Sequence, residues 1–461
     1  MLSTRVKTLL SDVAAFALSG ASIKLLSFFM VPLYTYFLST EEYAVADLVT
    51  LSIQLAIPLL TLSISDAVLR FGLEADADRE SVFGIGFAVV LCGSVVAVPA
   101  CLVVGGLSGD WWLACFSFLL FFVQNLCNYF AAFFKCSDKT KLMAIISSVS
   151  GIAGILLNVG FIAGLRLGLH GYWLGNVLGS CVGLALYLAF GGWRSFGYLR
   201  KSETGQLRRL LTYSVPLIPN SLFWWINSSM DRFILTALST LSFVGLYSAA
   251  SKIPQILSTV AGFFFQAWNI SVFRDFGTED SARFFKRGLC FISFGSFLVA
   301  GALIVINIPL ASLLFSGDFF EAWKLVPLLL TATAVSILNQ FLGSVFTASK
   351  ETQTIFTTTA MGSAVNIILN VLLILAFGGI GAVVATLASY LVVYVARAIR
   401  IWKRYDFLGF NHIGPCVQIV CLVGLSALSM SGLGVFELGI AYLGMVALAL
   451  ISLVTTERMG R

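Results

Sequence analysis

Residues 137–159, SDKTKLMAIISSVSGIAGILLNV, are answered by residues 349–371, SKETQTIFTTTAMGSAVNIILNV, at a constant offset of 212. Ser137-Asp138-Lys139-Thr140 aligns with Ser349-Lys350-Glu351-Thr352, and Leu157-Asn158-Val159 with Leu369-Asn370-Val371. Both copies open on a polar junction and run into an apolar stretch of about the 20 residues that a spanning helix needs. Leu38-Ser39-Thr40 against Leu238-Ser239-Thr240, offset by 200, extends the duplication. The matched polar positions argue against chance similarity between apolar segments.

Outward from this pair, apolar runs recur near residues 12–38, 43–69, 83–106, 112–134, 142–164, 171–191, 210–238, 242–272, 288–310, 325–346, 354–377, 380–400, 414–432 and 436–455. The matched motifs lie six spans apart. Six is even, so both copies face the same way, as a parallel repeat about an axis along the membrane normal. The expected fold class is all-α and polytopic, with about 14 transmembrane helices. An N-terminal six-helix bundle (1–200) would be repeated by a C-terminal one (201–405), with two additional helices in 406–461.

Composition agrees: 59% of the 461 residues are hydrophobic and 11% charged, with a mean hydropathy of +0.97, against about 25% charged in a soluble domain. The longest connection, from Gly192 to Arg209, is too small for a folded domain. Of 28 Lys and Arg, only Arg166 and Lys324 fall on outer loops, and Lys24, Arg232 and Lys252 fall inside spans away from their ends. The rest sit on the other side, which places both termini in the cytoplasm by the positive-inside rule. The net charge of +6 is an orientation signal and not a nucleic-acid one. The basic start before an apolar run is read as an uncleaved first helix, because Lys24 interrupts the run. Nine cysteines lack metal or redox spacing and are read as small packing residues. Only two histidines occur, His170 and His412, so neither a metal centre nor a histidine-based triad is expected. No G-x-x-x-x-G-K-[ST] loop is present. No cofactor and no catalytic residue is expected. H+ or Na+ coupling, membrane potential or the substrate gradient must supply the energy.

Buried cations are expensive, at about 2.5–3.5 kcal/mol each on insertion scales. Lys24, Arg232 and Lys252 therefore suggest an anionic substrate, an ion path or structural pairing. Four polar stripes at helical spacing accompany them. These are Gly20, Lys24, Ser27 and Tyr34; Asp47, Thr50, Gln54, Pro58, Thr61 and Ser65; Asn220, Trp224, Asn227 and Asp231; and Lys252, Gln255, Thr259, Gly262, Gln266 and Asn269. The stripes occupy the first two helices of each repeat, which points to a hydrated cavity, although interhelical hydrogen bonding uses the same residue types. Gln54, Asn220, Trp224, Asn227, Gln255 and Gln266 are the candidate sugar contacts, with Trp224 ranked above Trp225 because it shares the polar face. Asp47 and Asp231 are the candidates for gating or ion coupling. Asp66 and Arg70, spaced i, i+4, are expected to form a structural ion pair. Gly175, Gly179 and Gly183 read as close helix packing.

The segments Ser214-Val215-Pro216-Leu217-Ile218-Pro219, Met230-Asp231-Arg232-Phe233 and Gly245-Leu246-Tyr247-Ser248-Ala249-Ala250-Ser251-Lys252 carry a further signal. So do Lys24-Leu25-Leu26-Ser27-Phe28-Phe29-Met30-Val31-Pro32-Leu33-Tyr34 and Glu41-Glu42-Tyr43. Together they resemble the polysaccharide-transporter (O-antigen or oligosaccharide) flippases of the multidrug/oligosaccharidyl-lipid/polysaccharide exporter superfamily, over essentially the whole chain. The resemblance implies two six-helix bundles working by alternating access. It implies an undecaprenyl-diphosphate-linked oligosaccharide as cargo, moved from the inner to the outer leaflet of a bacterial cytoplasmic membrane for O-antigen, capsule or exopolysaccharide biosynthesis. Lys24, Arg232 and Lys252 would then contact the diphosphate. Membrane lipids and a glycan polymerase or glycosyltransferase assembly are the partners in view, and the last two helices would help form a groove for the lipid tail. A multidrug antiporter or lipid II flippase of the same superfamily is the alternative reading. A membrane glycan polymerase or glycosyltransferase is the alternative of another class, although it would need an acidic or arginine-rich outer loop, which is missing.

Overall fold

A computed structural model describes residues 28–74, 78–137, 139–193, 197–198, 204–275, 281–349, 351–405, 408 and 410–459. Among them every regular element is helical, and eleven helices are long and apolar enough to cross a membrane. Large apolar side chains stand exposed along them, Leu102, Leu156, Leu375, Phe377, Val420 and Phe436 among them. An apolar surface of that extent suits lipid and not water. The chain is a multi-pass membrane protein. The eleven correspond to the second to sixth and ninth to fourteenth expected spans. The first expected span lies mostly outside the described residues, and the seventh and eighth are the two that carry Asp231, Arg232 and Lys252.

The chain divides into two compact units, Val45–Ile226 and Met1–Ala44 with Asn227–Arg461. The helices in chain order are α1 (Val31–Phe37), α2 (Thr40–Leu60), α3 (Ile64–Gly72), α4 (Arg79–Ser108), α5 (Trp111–Cys136), α6 (Thr140–Asn158), α7 (Gly168–Tyr187), α8 (Thr204–Ser214) and α9 (Ile218–Leu238). Then come α10 (Leu241–Ala250), α11 (Lys252–Asp275), α12 (Ser281–Val305), α13 (Asn307–Leu314), α14 (Val326–Ala348), α15 (Thr352–Phe377), α16 (Gly379–Arg404), α17 (Ile413–Met430) and α18 (Val435–Met459).

In the Val45–Ile226 unit, α3, α4 and α5 pack around an aromatic core of Phe83, Phe87, Tyr129, Phe130 and Phe134. Helix α7 lies against α6 through the expected glycine ladder. A Cβ on Gly179 would fall 2.4 Å from the Gly154 Cα, and one on Gly183 2.7 Å from Ser150 Oγ. Small residues let the backbones approach, and Ser150 Oγ uses that closeness to donate to the Gly179 carbonyl at 2.8 Å. The second expected span is broken. Leu62 and Ser63 take positive φ (53° and 51°) between α2 and α3, a conformation that side-chain-bearing residues adopt at a cost. The expected Asp66–Arg70 pair is not what α3 makes. Arg70 instead faces Glu74 at 3.5 Å, and Arg209 from α8 reaches the same carboxylate at 2.8 Å. Glu74 lies one turn beyond Arg70, where both guanidinium groups can converge on it.

In the other unit, α14 is the most enclosed of the eleven helices. Residues 31–44 are bound to this unit by specific bonds. Thr35 Oγ1 donates to the Leu314 carbonyl at 2.7 Å, and Thr40 and Ser242 hydroxyls meet at 2.7 Å. The last two helices are bound likewise, through Thr331 and Ser426 hydroxyls at 2.9 Å and Tyr442 OH on the Leu298 carbonyl at 2.7 Å. Outside the spans, burial pushes the Glu351 carboxyl up, but hydrogen bonds from Tyr405, Arg404 and Thr354 outweigh it and leave it below the usual range. Burial also lowers the His412 imidazole, whose Nδ1 is 2.9 Å from Tyr394 OH.

Candidate functional site

Helix α15 is polar inside and apolar outside. Its buried residues are Thr358, Gly362, Ser363, Asn366, Asn370 and Ile374, while Phe356, Ile368, Leu372, Leu375 and Phe377 are exposed. A spanning helix places polar groups inward because lipid offers them no hydrogen bonds. The same logic acts on α9, where Asp231 is 4% exposed.

Around Asp231 three neutral donors converge. Asn370 Nδ2 donates to Oδ1 at 2.7 Å; Thr386 Oγ1 and Tyr247 OH donate to Oδ2 at 2.7 and 2.9 Å. Asn370 Nδ2 also donates to Asn366 Oδ1 at 3.0 Å. Asn370 Oδ1 and Asn366 Nδ2 are buried without a partner. The Arg232 guanidinium lies 5.5 Å above the Tyr247 ring and donates to the Ser228 carbonyl at 3.3 Å. Asp231 and Arg232 thus bracket one tyrosine, the acid at its hydroxyl and the base over its face.

This is a cluster of hard oxygens, namely a carboxylate, two amide carbonyls and two hydroxyls. Such a set suits a proton or a small hard cation and not a soft transition metal. Among the described residues no three His, Cys, Asp or Glu side chains gather as a metal-ligand group. The acceptor of Asn370 that lacks a donor fits a cation that oxygen atoms would surround.

The duplication sharpens the point. Asn158 stands in the Val45–Ile226 unit where Asn370 stands in the other, and is also buried. Its Nδ2 turns back to the Gly154 carbonyl at 2.9 Å, and a Cβ on Gly175 would fall 2.7 Å from its Cγ. Counted from the first residues of α7 and α16, Gly175 and Thr386 hold the same place, and by the 212 offset Gly154 matches Asn366. One copy carries polar ligands at these places and the other glycines.

Lys24 lies outside the described residues, as does the side chain of Gln266. Lys252 and Asp47 are half-buried and engaged with neighbours. Gln54, Asn220 and Gln255 are exposed. Trp224 is 70% exposed, whereas the Trp225 indole donates to the Leu51 carbonyl at 2.9 Å and is a packing residue. Asn227 is half-buried, and its carbonyl accepts from Tyr390 OH at 3.4 Å. Several stripe hydroxyls are satisfied by the backbone one turn back. Thr50, Thr61 and Thr259 each donate to the carbonyl four residues back.

Sequence reasoning passed over Asn366, Thr386 and Tyr390, and used Asn370 and Tyr247 only as landmarks. An i, i+4 amide pair in an otherwise apolar helix was the available signal. It also singled out three cations inside spans and passed over another. Arg397, which falls within the expected span 380–400 and is followed by Arg400, Lys403 and Arg404, is 6% exposed.

Solved structures share the fold. The lipid II flippase MurJ in an inward closed conformation superposes with a TM-score of 0.72 over 97% of this chain and 100% of its own, at 14% identity. An inward-facing multidrug resistance MATE family transporter of the MOP superfamily gives 0.68 over 86% of this chain and 98% of its own, at 15% identity. In sequence, a probable low-salt glycan biosynthesis flippase of Haloferax volcanii is 25% identical over 259 residues, which is 53% of this chain and 54% of that protein, so the match spans about half of the relative's length. Residues 9–269 match the family described as polysaccharide biosynthesis protein, and the chain belongs to that family.

Proposed function

We propose that this protein is a flippase rather than an enzyme, and that it moves an undecaprenyl-diphosphate-linked oligosaccharide from the inner to the outer leaflet of a bacterial cytoplasmic membrane by alternating access, for O-antigen, capsule or exopolysaccharide biosynthesis. Family membership and the glycan-flippase relative support the cargo class. The observation that carries the mechanism is the buried Asp231 carboxylate, ringed by Asn370, Thr386 and Tyr247. Asp231 takes H+ or Na+, with Asn366 and Asn370 supplying amide oxygens. Such an ion neutralises the carboxylate, and the two states of the acid differ in how tightly α9 is held to α15 and α16. That difference is what a gradient needs in order to bias a conformational equilibrium. Asp47 is proposed to gate.

Lys24, Arg232 and Lys252 hold the diphosphate, whose charge needs cations in a low-dielectric setting. Gln54, Asn220, Trp224, Asn227, Gln255 and Gln266 meet the sugars. A glycan polymerase or glycosyltransferase receives the product.

The test is reconstitution in liposomes with a diphosphate-linked disaccharide lipid, following its exposure to the opposite leaflet under an imposed H+ or Na+ gradient. Gradient-driven exposure is expected. No movement under either gradient, together with drug resistance conferred on a sensitive strain, would move the reading to a multidrug antiporter. In cells, Lys24→Ala and Lys252→Ala are each expected to abolish glycan export with membrane abundance preserved, and full export by both would remove the diphosphate role.

A further inference from the structure

Among the described residues only two charged side chains are more than nine-tenths buried, Asp231 and Arg397. They have opposite sign, lie in the same unit and are served by the same two helices. Asp231 binds Asn370 of α15 and Thr386 of α16. Arg397 is itself on α16, and its Nε and Nη2 donate to Thr358 and Thr359 of α15, each at 3.1 Å. From Thr386 to Arg397 is eleven residues, about 16 Å along a helix.

Between the two charges runs a polar seam. On α15 the buried positions 358, 362, 366 and 370 recur every four residues and are Thr, Gly, Asn and Asn. On α16, Ser389 is buried and Tyr390 half-buried on the way from Thr386 to Arg397. Its one apolar interruption is Val393, which packs on Gly362 so closely that a Cβ there would fall 2.3 Å from Val393 Cγ2. Beyond Val393 the guanidinium is also fixed by α14. Nη1 donates to the Asn339 carbonyl, and Asn339 Nδ2 donates to the Tyr390 carbonyl at 2.9 Å. Gly343 leaves the room, since a Cβ there would meet Nη1 at 3.0 Å. All three partners of Arg397 are neutral oxygens, so its charge is not cancelled by a bonded carboxylate.

We propose that Arg397 is a cation seal. The α15–α16 seam would otherwise offer a leak from the Asp231 cluster to the Arg400–Arg404 end of α16, and the fixed guanidinium blocks it by repulsion. Fixed arginines exclude cations from polar membrane paths in this way. At an effective dielectric of about 20, a monovalent cation some 5 Å from a guanidinium is disfavoured on the order of a hundredfold. A structural clamp would need the hydrogen bonds and not the charge. The proposal rests on the reading of Asp231 as the coupling site.

The experiment is passive H+ and Na+ flux, read with trapped pH-sensitive and Na+-sensitive dyes, into liposomes carrying the full chain without lipid-linked substrate. Wild type and Arg397→Lys are expected to be tight. Arg397→Gln is expected to raise flux of one cation roughly tenfold or more, and adding Asp231→Asn to it to abolish the rise. An Arg397→Gln protein of unchanged melting temperature that stays tight would overturn the seal, as would an Arg397→Lys protein that leaks as fast as the glutamine variant. If Arg397→Gln does not fold, the Thr358→Val/Thr359→Val pair, which removes two hydrogen bonds of the guanidinium but keeps its charge, decides: tightness supports the seal, and a leak overturns it in favour of a structural clamp. The two readings separate cleanly. A leak that survives Asp231→Asn keeps the seal and removes Asp231 from the route. A tight Arg397→Gln beside an Asp231→Asn that has lost gradient-driven transport does the reverse.

Discussion

Thr386 Oγ1 stands 2.7 Å from Asp231 Oδ2, across 155 positions of sequence. The same hydroxyl lies 3.0 Å from the Ala382 carbonyl one turn back in its own helix, so one proton is shared between two acceptors. Loading the carboxylate with a cation or a proton would settle that competition in favour of the helix. Asp231→Asn is therefore expected to lower gradient-driven transport by about the 5–150-fold typical of coupling free energies, with membrane abundance unchanged. Transport by this variant at the wild-type rate, with the same gradient dependence, would exclude the coupling role.

Trp224 and Trp225 are neighbours with opposite fates. Trp224 is 70% exposed, and Trp225 is bonded to the Leu51 carbonyl. Trp224→Ala should change stability by no more than about 0.5 kcal/mol, and Trp225→Ala, which removes a half-buried indole and its hydrogen bond, should cost about 1–3 kcal/mol. Detergent melting curves measure both. A loss of glycan export confined to Trp224→Ala is expected from a sugar-stacking residue.

Gly245 lies so close to the chain at Thr40 that a Cβ would fall 1.9 Å from the Thr40 carbonyl oxygen. Backbone cannot give way as a flexible side chain does. Gly245→Ala should destabilise by about 1–3 kcal/mol or more through overpacking, seen as a lower melting temperature and reduced yield. Gly262→Ala, with nothing within 4 Å of its added carbon, is the matched control and should be neutral in packing.

Burial lowers the His412 imidazole relative to its ordinary value of 6.5, and Tyr394 OH bonds its Nδ1. The folded protein thus binds fewer protons here than the unfolded chain does. The contribution is complete above pH 6.5 and is lost as pH falls from there through the folded value. Melting temperature should drop on acidification in this window, and His412→Gln should flatten the drop. An unchanged pH profile in His412→Gln would show that the imidazole does not set it.

Ion pairs at the helix ends are expected to matter little. Arg404 and Glu351 are 2.7 Å apart with the guanidinium 65% exposed, and such exposed pairs contribute about 0–1 kcal/mol. Glu351→Gln should move the melting temperature by a degree or two at most, and less still in high salt.

The sequence by itself determined the solvent, the helical class, the superfamily resemblance and the glycine ladder of α7. Each of these follows from local composition or from spacing along one helix. It also singled out Asp231, because a carboxylate in an apolar run is costly wherever the run lies. Tertiary structure alone decided what the polar groups do. Asn366, Asn370 and Thr386 are as inconspicuous in an apolar helix as Asn158 or Thr50, and only packing shows that the first three gather on or beside a carboxylate while the last two bond to their own backbone. Arg397 was hidden for the opposite reason. Its neighbours Arg400, Lys403 and Arg404 make it look like one more solvated helix end, and burial depends on α14 and α15 closing over it. Hydropathy fixes which residues leave water; which oxygen each one then finds is set by contacts between helices far apart in the chain.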